Sequence, residues 1–547
     1  MKFYPYLFSL FTLSAAVAQN NQNAKPYVSN VWVADLGNGN YQNPILQADY
    51  SDPDVVRVGD DYYMTASSFN CTPGLPILHS KDMVNWKLVN HALAKVTPLE
   101  HYNSVQHGNA VWAPSIRYHN KEFYIYWGDP DFGIFMVKTK NPLGKWEAPV
   151  LVMEAKGIID TCPFWDEDGR VYLSHGWAGS RAGVKSLLTV KELNAEGTAV
   201  IDEGHHVYDG HEIDPTVEGS KLYKKDGYYY IFAPAGGVST GWQIALRSKN
   251  IYGPYERKIV LEQGKSTING PHQGAWVDTP QGESWFYHFQ DIDAYGRIVH
   301  LQPMSWQNGW PIIGKDLDGN GIGEPVMKYK KPNVGKNYLI ETPQETDYFT
   351  DNTIGLQWQW QANPNMVWYA KMRDSDNLRL FSMKMPEESK NLWLVPNLLL
   401  QKFPALHFSA TTKIKLVPEE ATSGKSAGLL VMGLDYASVR IIRKNEGFFV
   451  EQLEAKNASK NQSENINASE KINQNEVYFK VEVKEKDKNA ICEFSYSLDG
   501  KKFLKIGKPF TATPGKWIGA KVGLYSVSEQ ESKRGGYADV DWFKVEK

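Results

Sequence analysis

The chain has 547 residues, too many for a single hydrophobic core, and this length predicts two domains. Its 59 basic and 62 acidic residues leave a formal net charge of -3, which excludes the electrostatic signature of a protein that binds nucleic acid or an anionic membrane. The HExxH, GxSxG, P-loop and Rossmann motifs are missing, so zinc proteases, serine hydrolases and nucleotide enzymes are excluded as well.

Residues 1–18 are typical of a secretory signal peptide. Lys2 precedes an apolar stretch that ends in small residues, and we expect cleavage after Ala18. No later apolar run is long enough to span a membrane. We therefore predict an exported protein, periplasmic or extracellular, without a membrane span.

A unit of strand, polar turn and aromatic strand recurs five times after this segment. The copies are VVRVGDDYYM (55–64), SIRYHNKEFYIYW (115–127), PFWDEDGRVYLSH (163–175), KLYKKDGYYYIFA (221–233) and AWVDTPQGESWFYHF (275–289). Their turns, at Gly59, Asn120, Gly169, Gly227 and Gly282, are about 55 residues apart. Five units at this period predict a five-bladed β-propeller over residues 31–325.

Residues 326–345 break the pattern and predict a linker. From residue 346 to 547 the alternation of strands returns without the blade unit, in segments such as GLLVMGL and YFKVEVKE, and predicts a β-sandwich. The fold class is therefore all-β, a five-bladed propeller followed by a sandwich. Within the sandwich, the polar stretch 456–475 predicts a loop.

Cysteines are scarce. The three residues Cys71, Cys162 and Cys492 are odd in number and lack metal-type spacing, which excludes a disulfide scaffold and predicts buried free thiols.

Three carboxylates stand directly before repeated hairpins: Asp52 in blade one, Asp160 in blade three and Glu218 in blade four. We predict that they occupy equivalent places and gather at the propeller axis. Blades two and five offer no acid there, but Pro114, Ser115 and Gln273. Clustered acids repel unless they share a proton, and a neutral carboxyl beside an ionised one is what glycosidic cleavage requires.

Residues 43–325 resemble family-43 glycoside hydrolases, the β-xylosidase and α-L-arabinofuranosidase group. The resemblance lies in NPILQADYSDPDVVRVGDDYYM, WAPSIRYHNKEFYIYW, IIDTCPFWDEDGRVYL, VEGSKLYKKDGYYYIFAPAGG, GPHQGAWVDT and YGRIVHLQPMSW. The C-terminal stretch, with GLQWQWQANP and YADVDWFKVE, resembles the concanavalin-like sandwich attached to such propellers.

This resemblance implies an inverting mechanism with Asp52 as general base, Glu218 as general acid and Asp160 as the residue that tunes and orients the acid. Base and acid carboxyls should be about 6.5–9.5 Å apart to admit a water. An ionised Asp160 would favour the protonated form of Glu218.

The resemblance also implies substrate-binding roles for Arg297, Phe69, Trp112 and His272. His272 matches an axial histidine that sits beside or ligates a calcium, so the resemblance implies a structural calcium there. Asp541 is a candidate ligand of a second calcium. No cofactor is expected to take part in the chemistry.

The sequence thus predicts an exo-acting hydrolase that releases terminal α-L-arabinofuranosyl or β-D-xylosyl units from hemicellulose oligo- or polysaccharides. The sandwich is expected to lend a loop to the roof of the site. A fructan-cleaving propeller is disfavoured because nothing resembles WMNDPNG. A catalytically silent carbohydrate-binding propeller is the alternative of another class.

Overall fold

The structure is a computed structural model that describes residues 25–371, 375–418, 423–529 and 535–547. The predicted signal peptide lies outside these residues. Helix is confined, within the described ranges, to α1 (Leu99–Tyr102), α2 (Gly179–Ala182) and two 3₁₀ turns, Asp293–Tyr295 and Ala458–Lys460. None of the helices in these ranges has the length and apolar character needed to cross a bilayer.

The N-terminal half consists of five four-stranded antiparallel sheets, each built from consecutive strands. The inner strands of sheets one to four contact one another in turn. The inner strand of sheet five contacts the second and third strands of sheet four and the inner strand of sheet one, so the ring is closed. The predicted five-bladed propeller is confirmed. Its strands are β2–β5 (Asp54–Val58, Asp61–Thr65, Gly74–Ser80, Trp86–Leu93), β6–β9 (Trp112–His119, Glu122–Asp129, Gly133–Thr139, Val150–Glu154), β10–β13 (Ile158–Trp165, Val171–Trp177, Leu187–Leu193, His205–Asp209), β14–β17 (Lys221–Lys225, Tyr228–Ala235, Trp242–Ser248, Glu256–Leu261) and β18–β21 (His272–Asp278, Ser284–Asp291, Arg297–Gln307, Trp310–Ile313).

Aromatic side chains fill the gaps between neighbouring blades, which explains why each repeat carries an aromatic strand. A separate apolar cluster lies in each of the five gaps. Rings from adjacent blades meet at centroid distances of 5.0 Å for Tyr63 and Phe123 and 5.7 Å for Phe232 and Phe286. Because each aromatic ring buries a large area, a few rings are enough to fill each gap between blades.

The C-terminal half is the predicted β-sandwich of two large sheets around one core. The first sheet contains β23 (Gln359–Trp360), β26 (Met383–Lys384), β27 (Leu399–Lys402), β29 (Lys425–Met432), β30 (Tyr436–Lys444), β31 (Gly447–Ala455), β32 (Asn465–Ile472) and β37 (Lys521–Ser528). The second contains β24 (Tyr369–Lys371), β25 (Leu378–Phe381), β28 (His407–Val417), β33 (Glu476–Lys486), β34 (Asn489–Ser497), β35 (Leu504–Lys505), β36 (Phe510–Thr511) and β38 (Tyr537–Glu546).

The prediction of a loop over 456–475 was wrong, because β32 lies within it and pairs with β31. β32 is an edge strand whose side chains are mostly exposed or half-buried. An edge strand tolerates, and is protected by, polar side chains, so its composition resembles that of a loop.

The two halves touch at the loop that follows β3. Thr72 and Trp360 exchange backbone hydrogen bonds of 2.6 and 3.0 Å, and Asn70 Nδ2 donates to the Gln361 carbonyl at 2.7 Å. The predicted linker interval contains one short strand, β22 (Lys328–Lys330), which pairs with β1 (Asn40–Gln42). The sandwich therefore braces a propeller loop that carries Phe69.

Candidate active site at the propeller hub

In every blade, a residue with left-handed backbone lies within two residues of the start of the inner strand. These residues are Asp52 (φ 55°), Ala113 (φ 31°), Asp160 (φ 60°), Gly219 (φ 60°) and Gln273 (φ 37°). In blades two, three and five the strand ladder is also irregular at this point. Such bends re-aim side chains, and a strained backbone at a non-glycine residue persists only where the surrounding structure holds it.

This register corrects the predicted equivalence of the three acids. Asp52 and Asp160 occupy the same place in their blades, but Glu218 stands one residue earlier, because Gly219 takes the left-handed position. The counterpart of Glu218 in blade five is His272, which precedes Gln273. In blade two the left-handed position belongs to Ala113, and Pro114 and Ser115 follow it.

Asp52 is buried, at 4% exposure, and is surrounded by donors. Its Oδ2 accepts hydrogen bonds from the hydroxyls of Ser51 (2.7 Å) and Ser67 (2.5 Å), and its Oδ1 lies 3.5 Å from Arg297 Nη1. Hydroxyl donors and a guanidinium stabilise a carboxylate in its ionised form. The environment of Asp52 is that of a proton acceptor.

Asp160 lies beside both other acids. Burial, followed by the charges of Glu218 and Asp52, raises the pKa of Asp160 well above its usual range. The Gly219 N–H, which donates to Asp160 Oδ2 at 2.7 Å, opposes that rise. Asp160 is only 3% exposed, which is why burial is the largest cause, and the ionised Asp160 stays a prediction.

Glu218 is the most accessible of the three acids, with 34% of its side chain exposed. Its Oε1 lies 3.1 Å from Nε2 of the buried His272. After burial, the charge of Glu218 is the largest influence on the pKa of Asp160, ahead of that of Asp52. An accessible carboxyl, Glu218, near a buried one, Asp160, is an arrangement suited to donating a proton to a bound ligand.

Arg297 links the base to the rest of the hub. It donates to Ser51 Oγ at 3.0 Å, and its guanidinium carbon stands 4.9 Å from the centroid of the Phe289 ring. Burial opposes its charge, but Asp52 and the other acids around it outweigh burial and raise the pKa of Arg297. A charged Arg297 beside Asp52 partly offsets the repulsion among the acids.

Phe69 and Trp112 meet edge to face, with ring centroids 6.3 Å apart and planes at 67°. Trp517 extends this aromatic wall, because its ring meets that of Trp112 edge to face at 5.8 Å. It comes from the turn PGKWIG of the sandwich, so a sandwich loop contacts Trp112, one of the predicted substrate-binding residues, and the expected roof over the site stays a prediction. Nothing in that turn, away from any repeat, singled out Trp517 in the sequence.

Sequence reasoning also missed the polar floor beneath the acids. The fully buried Asp54 accepts from Arg117 Nη1 at 2.6 Å, and Lys221 Nζ donates to Ser115 Oγ at 2.7 Å. Arg117 Nη2 lies 2.9 Å from Cys162 Sγ, which is buried like the other two free thiols. A lysine at an inward strand position is the signal that could have revealed this floor.

In the described part of the chain, His272 does not belong to a cluster of acidic side chains that could act as calcium ligands. Calcium takes six to eight oxygen ligands, whereas His272 has Glu218 on Nε2 and no partner on the buried Nδ1. Among the residues that the structure describes, no three His, Cys, Asp or Glu side chains gather as metal ligands would. Asp541 lies far along the chain in β38 and pairs with Lys413 at 2.8 Å. Calcium stays a prediction.

Comparison with known proteins decides the family. The model of Glycosyl hydrolases family 43 matches residues 41–311, and that of the Beta xylosidase C-terminal Concanavalin A-like domain matches residues 346–546. A putative beta-xylosidase of Xylanibacter ruminicola is 39% identical over 507 residues, covering 91% of this chain and 88% of the relative. The chain belongs to glycoside hydrolase family 43.

Other members resemble this family-43 hydrolase over most of its length. A non-reducing end α-L-arabinofuranosidase of Bacteroides ovatus is 30% identical over 74% of this chain and 76% of its own. The solved structure of a mutant family-43 protein from Bacillus licheniformis is 26% identical and superimposes with a TM-score of 0.79, covering 92% of this chain and 99% of that one. The predicted family and its two-domain architecture are confirmed.

Proposed function

We propose that this family-43 hydrolase removes terminal β-D-xylosyl units from hemicellulose fragments with inversion, using Asp52 as general base and Glu218 as general acid. The observation that carries the proposal is the hub itself. The buried Asp52, beside Arg297, and the partly exposed Glu218 both act electrostatically on the buried Asp160. In the proposal, Asp160 and Glu218 share one proton. This is the division of labour that an inverting hydrolysis needs.

The proposed reaction begins when a terminal sugar covers Glu218. Removing water from Glu218 favours its neutral form, so the shared proton moves from Asp160 toward it. Asp160 then becomes ionised, and the Gly219 N–H on its Oδ2 stabilises that charge.

Bond cleavage then requires both carboxyls at once. Glu218 donates its proton to the leaving oxygen while Asp52 removes a proton from a water that attacks the anomeric carbon from the opposite face. Ser51 and Ser67 keep Asp52 oriented during this step. The released sugar carries the inverted anomeric configuration.

We propose xylose ahead of arabinose because of the relatives' names. The Xylanibacter protein, 39% identical, is named a putative beta-xylosidase, whereas the proteins of Butyrivibrio fibrisolvens and Humicola insolens that are named for both sugars are 26% and 25% identical. The α-L-arabinofuranosyl unit is the second candidate, because a Bacteroides relative is named for it. A xylan or arabinoxylan fragment is the substrate class in either case.

The deciding assay compares 4-nitrophenyl β-D-xylopyranoside with 4-nitrophenyl α-L-arabinofuranoside, followed by NMR of the first-formed sugar of a natural disaccharide. We expect faster turnover of the xyloside and an inverted anomer. A retained anomer contradicts Asp52 as base. If folded protein turns over neither compound but binds xylo-oligosaccharides, the silent binding propeller is the better description.

We also propose that the protein is exported to the periplasm or the medium, on the strength of its N-terminal signal. Immunodetection in fractionated cells, with and without residues 1–18, tests this.

Calcium is proposed only as a structural ion. Titration of the folded protein with EDTA should lower its melting temperature if the ion is bound.

A further inference from the structure

Asp49 joins two parts of the molecule that meet at the site. It is buried at 3% exposure and lies three residues before Asp52. Its Oδ1 accepts the backbone N–H of Arg297 at 2.9 Å, and its Oδ2 accepts the backbone N–H of Gly519 at 2.9 Å. One carboxylate therefore fastens a sandwich loop to the strand that begins with Arg297.

The backbones around Asp49 approach so closely that two glycines are required. A Cβ on Gly519 would lie 2.7 Å from the nitrogen of Gly296, and a Cβ on Gly296 would lie 2.6 Å from Asp49 Cγ. Gly296 also has a φ of 78°, which disfavours a side chain. The Ala520 N–H donates to the Ala294 carbonyl at 2.7 Å and continues the same seam.

The fastened loop, residues 515–520, carries Trp517. The aromatic wall of Phe69, Trp112 and Trp517 becomes more exposed along its length, from 2% at Phe69 to 47% at Trp517. If a terminal sugar lies near Asp52 and Glu218 at the buried end of this wall, the next sugar of the chain, which is the leaving group, would pass the exposed end.

We propose that Asp49 is a positioning residue that holds Trp517 as the outer wall of the leaving-sugar subsite. The proposal rests on the proposed function and deepens it, because it assigns recognition of the leaving sugar to the junction of the two domains. Asp49 contacts only backbone groups and acts through the loop. Removing it frees Gly519, and Trp517 loses its fixed distance from Trp112.

The first measurement is hydrogen exchange of the peptide that covers residues 515–520, which needs no substrate. We expect faster exchange in Asp49→Ala than in the unmodified protein. Asn363→Ala is the matched control, because Asn363 also ties the sandwich to the propeller, through both backbone groups of Val96, but does not touch this loop. Equal exchange in Asp49→Ala and the control overturns the clamp.

The second measurement is the ratio of kcat/KM for xylobiose to kcat/KM for β-D-xylosyl fluoride, whose leaving group is too small to reach Trp517. We expect Trp517→Ala and Asp49→Ala each to lower this ratio about fivefold, in keeping with the loss of one aromatic contact. Asp49→Asn keeps one acceptor oxygen and should lie between.

The double variant Asp49→Ala/Trp517→Ala separates positioning from an effect on Arg297. If Asp49 acts through Trp517, the double variant lowers the ratio no further than either single variant. Losses that multiply, or an unchanged ratio in Asp49→Ala, overturn the proposal. If the unmodified protein turns over neither xylosyl compound, the proposed function is contradicted instead. The hydrogen-exchange measurement then still tests whether Asp49 holds residues 515–520.

Discussion

The propeller hub and the sandwich core both bury carboxylates, but their charges have different partners. In the hub, Asp52 and Asp160 lie beside Glu218, and Arg297 is the cation next to Asp52. In the sandwich, the fully buried Glu451 forms ion pairs with Arg440 at 2.8 Å and with Lys444 at 2.5 Å.

The two environments shift pKa in opposite directions. Burial and like charges raise the pKa of Asp160, whereas the two cations outweigh burial and lower the pKa of Glu451. Neutralised charge stabilises a fold, and charge left in competition is available for chemistry. The buried acid of the hub is thus set up for proton transfer, whereas the buried acid of the sandwich is neutralised by cations.

The sharpest test of the hub is Glu218→Ala. We expect kcat on xylobiose to fall by about 10³- to 10⁴-fold, because its leaving oxygen needs a proton, while an activated aryl xyloside loses far less. Equal losses on both substrates would mean that Glu218 is not the acid.

Asp52→Asn should lower kcat by about 10³-fold on both substrates alike, because every substrate needs an activated water. Azide, which needs no deprotonation, should restore turnover of the activated substrate. A variant that discriminates by leaving group would assign Asp52 a different role.

In the sandwich, Glu451→Gln should lower the free energy of unfolding by about 3 kcal/mol, because Lys444 loses its partner and Arg440 keeps only the longer, 3.8 Å contact with Glu464. Urea unfolding followed by circular dichroism measures this. The control is Glu482→Gln, which removes a partly exposed partner of Lys480 and Lys484 and should cost less than about 0.5 kcal/mol. Equal effects would remove the contrast between the two regions.

Asp160→Asn should have the opposite sign and raise the unfolding free energy by about 1 kcal/mol at pH 7 while abolishing most activity. The folded pKa of Asp160 is raised, so its contribution to stability is lost as pH rises above the unfolded value of about 4. The gain in the variant should therefore vanish below about pH 4. If the variant is still more stable below about pH 4, the gain in unfolding free energy comes from packing instead of charge.

Much of this organisation is legible in the chain. The spacing of the turns from Gly59 to Gly282 predicted the blades, and acids directly ahead of the inner strands predicted where Asp52, Asp160 and Glu218 would meet. The polar segment around β32 was misread because an edge strand and a loop share a composition. The one-residue offset of Glu218 was hidden because the repeat locates the hairpins but not the residue with left-handed backbone near the start of each inner strand, which is Gly219 in blade four.

The sequence by itself determined the repeat, the domain order and the acids at the axis, since these follow from local periodicity that each segment carries on its own. Only the tertiary structure decided that the raised pKa belongs to Asp160, that Ser67 and Arg297 hold Asp52, and that Asp49 reaches Gly519 across 470 positions. Burial and contacts between docked surfaces arise after the chain has folded, and no period in the sequence encodes them.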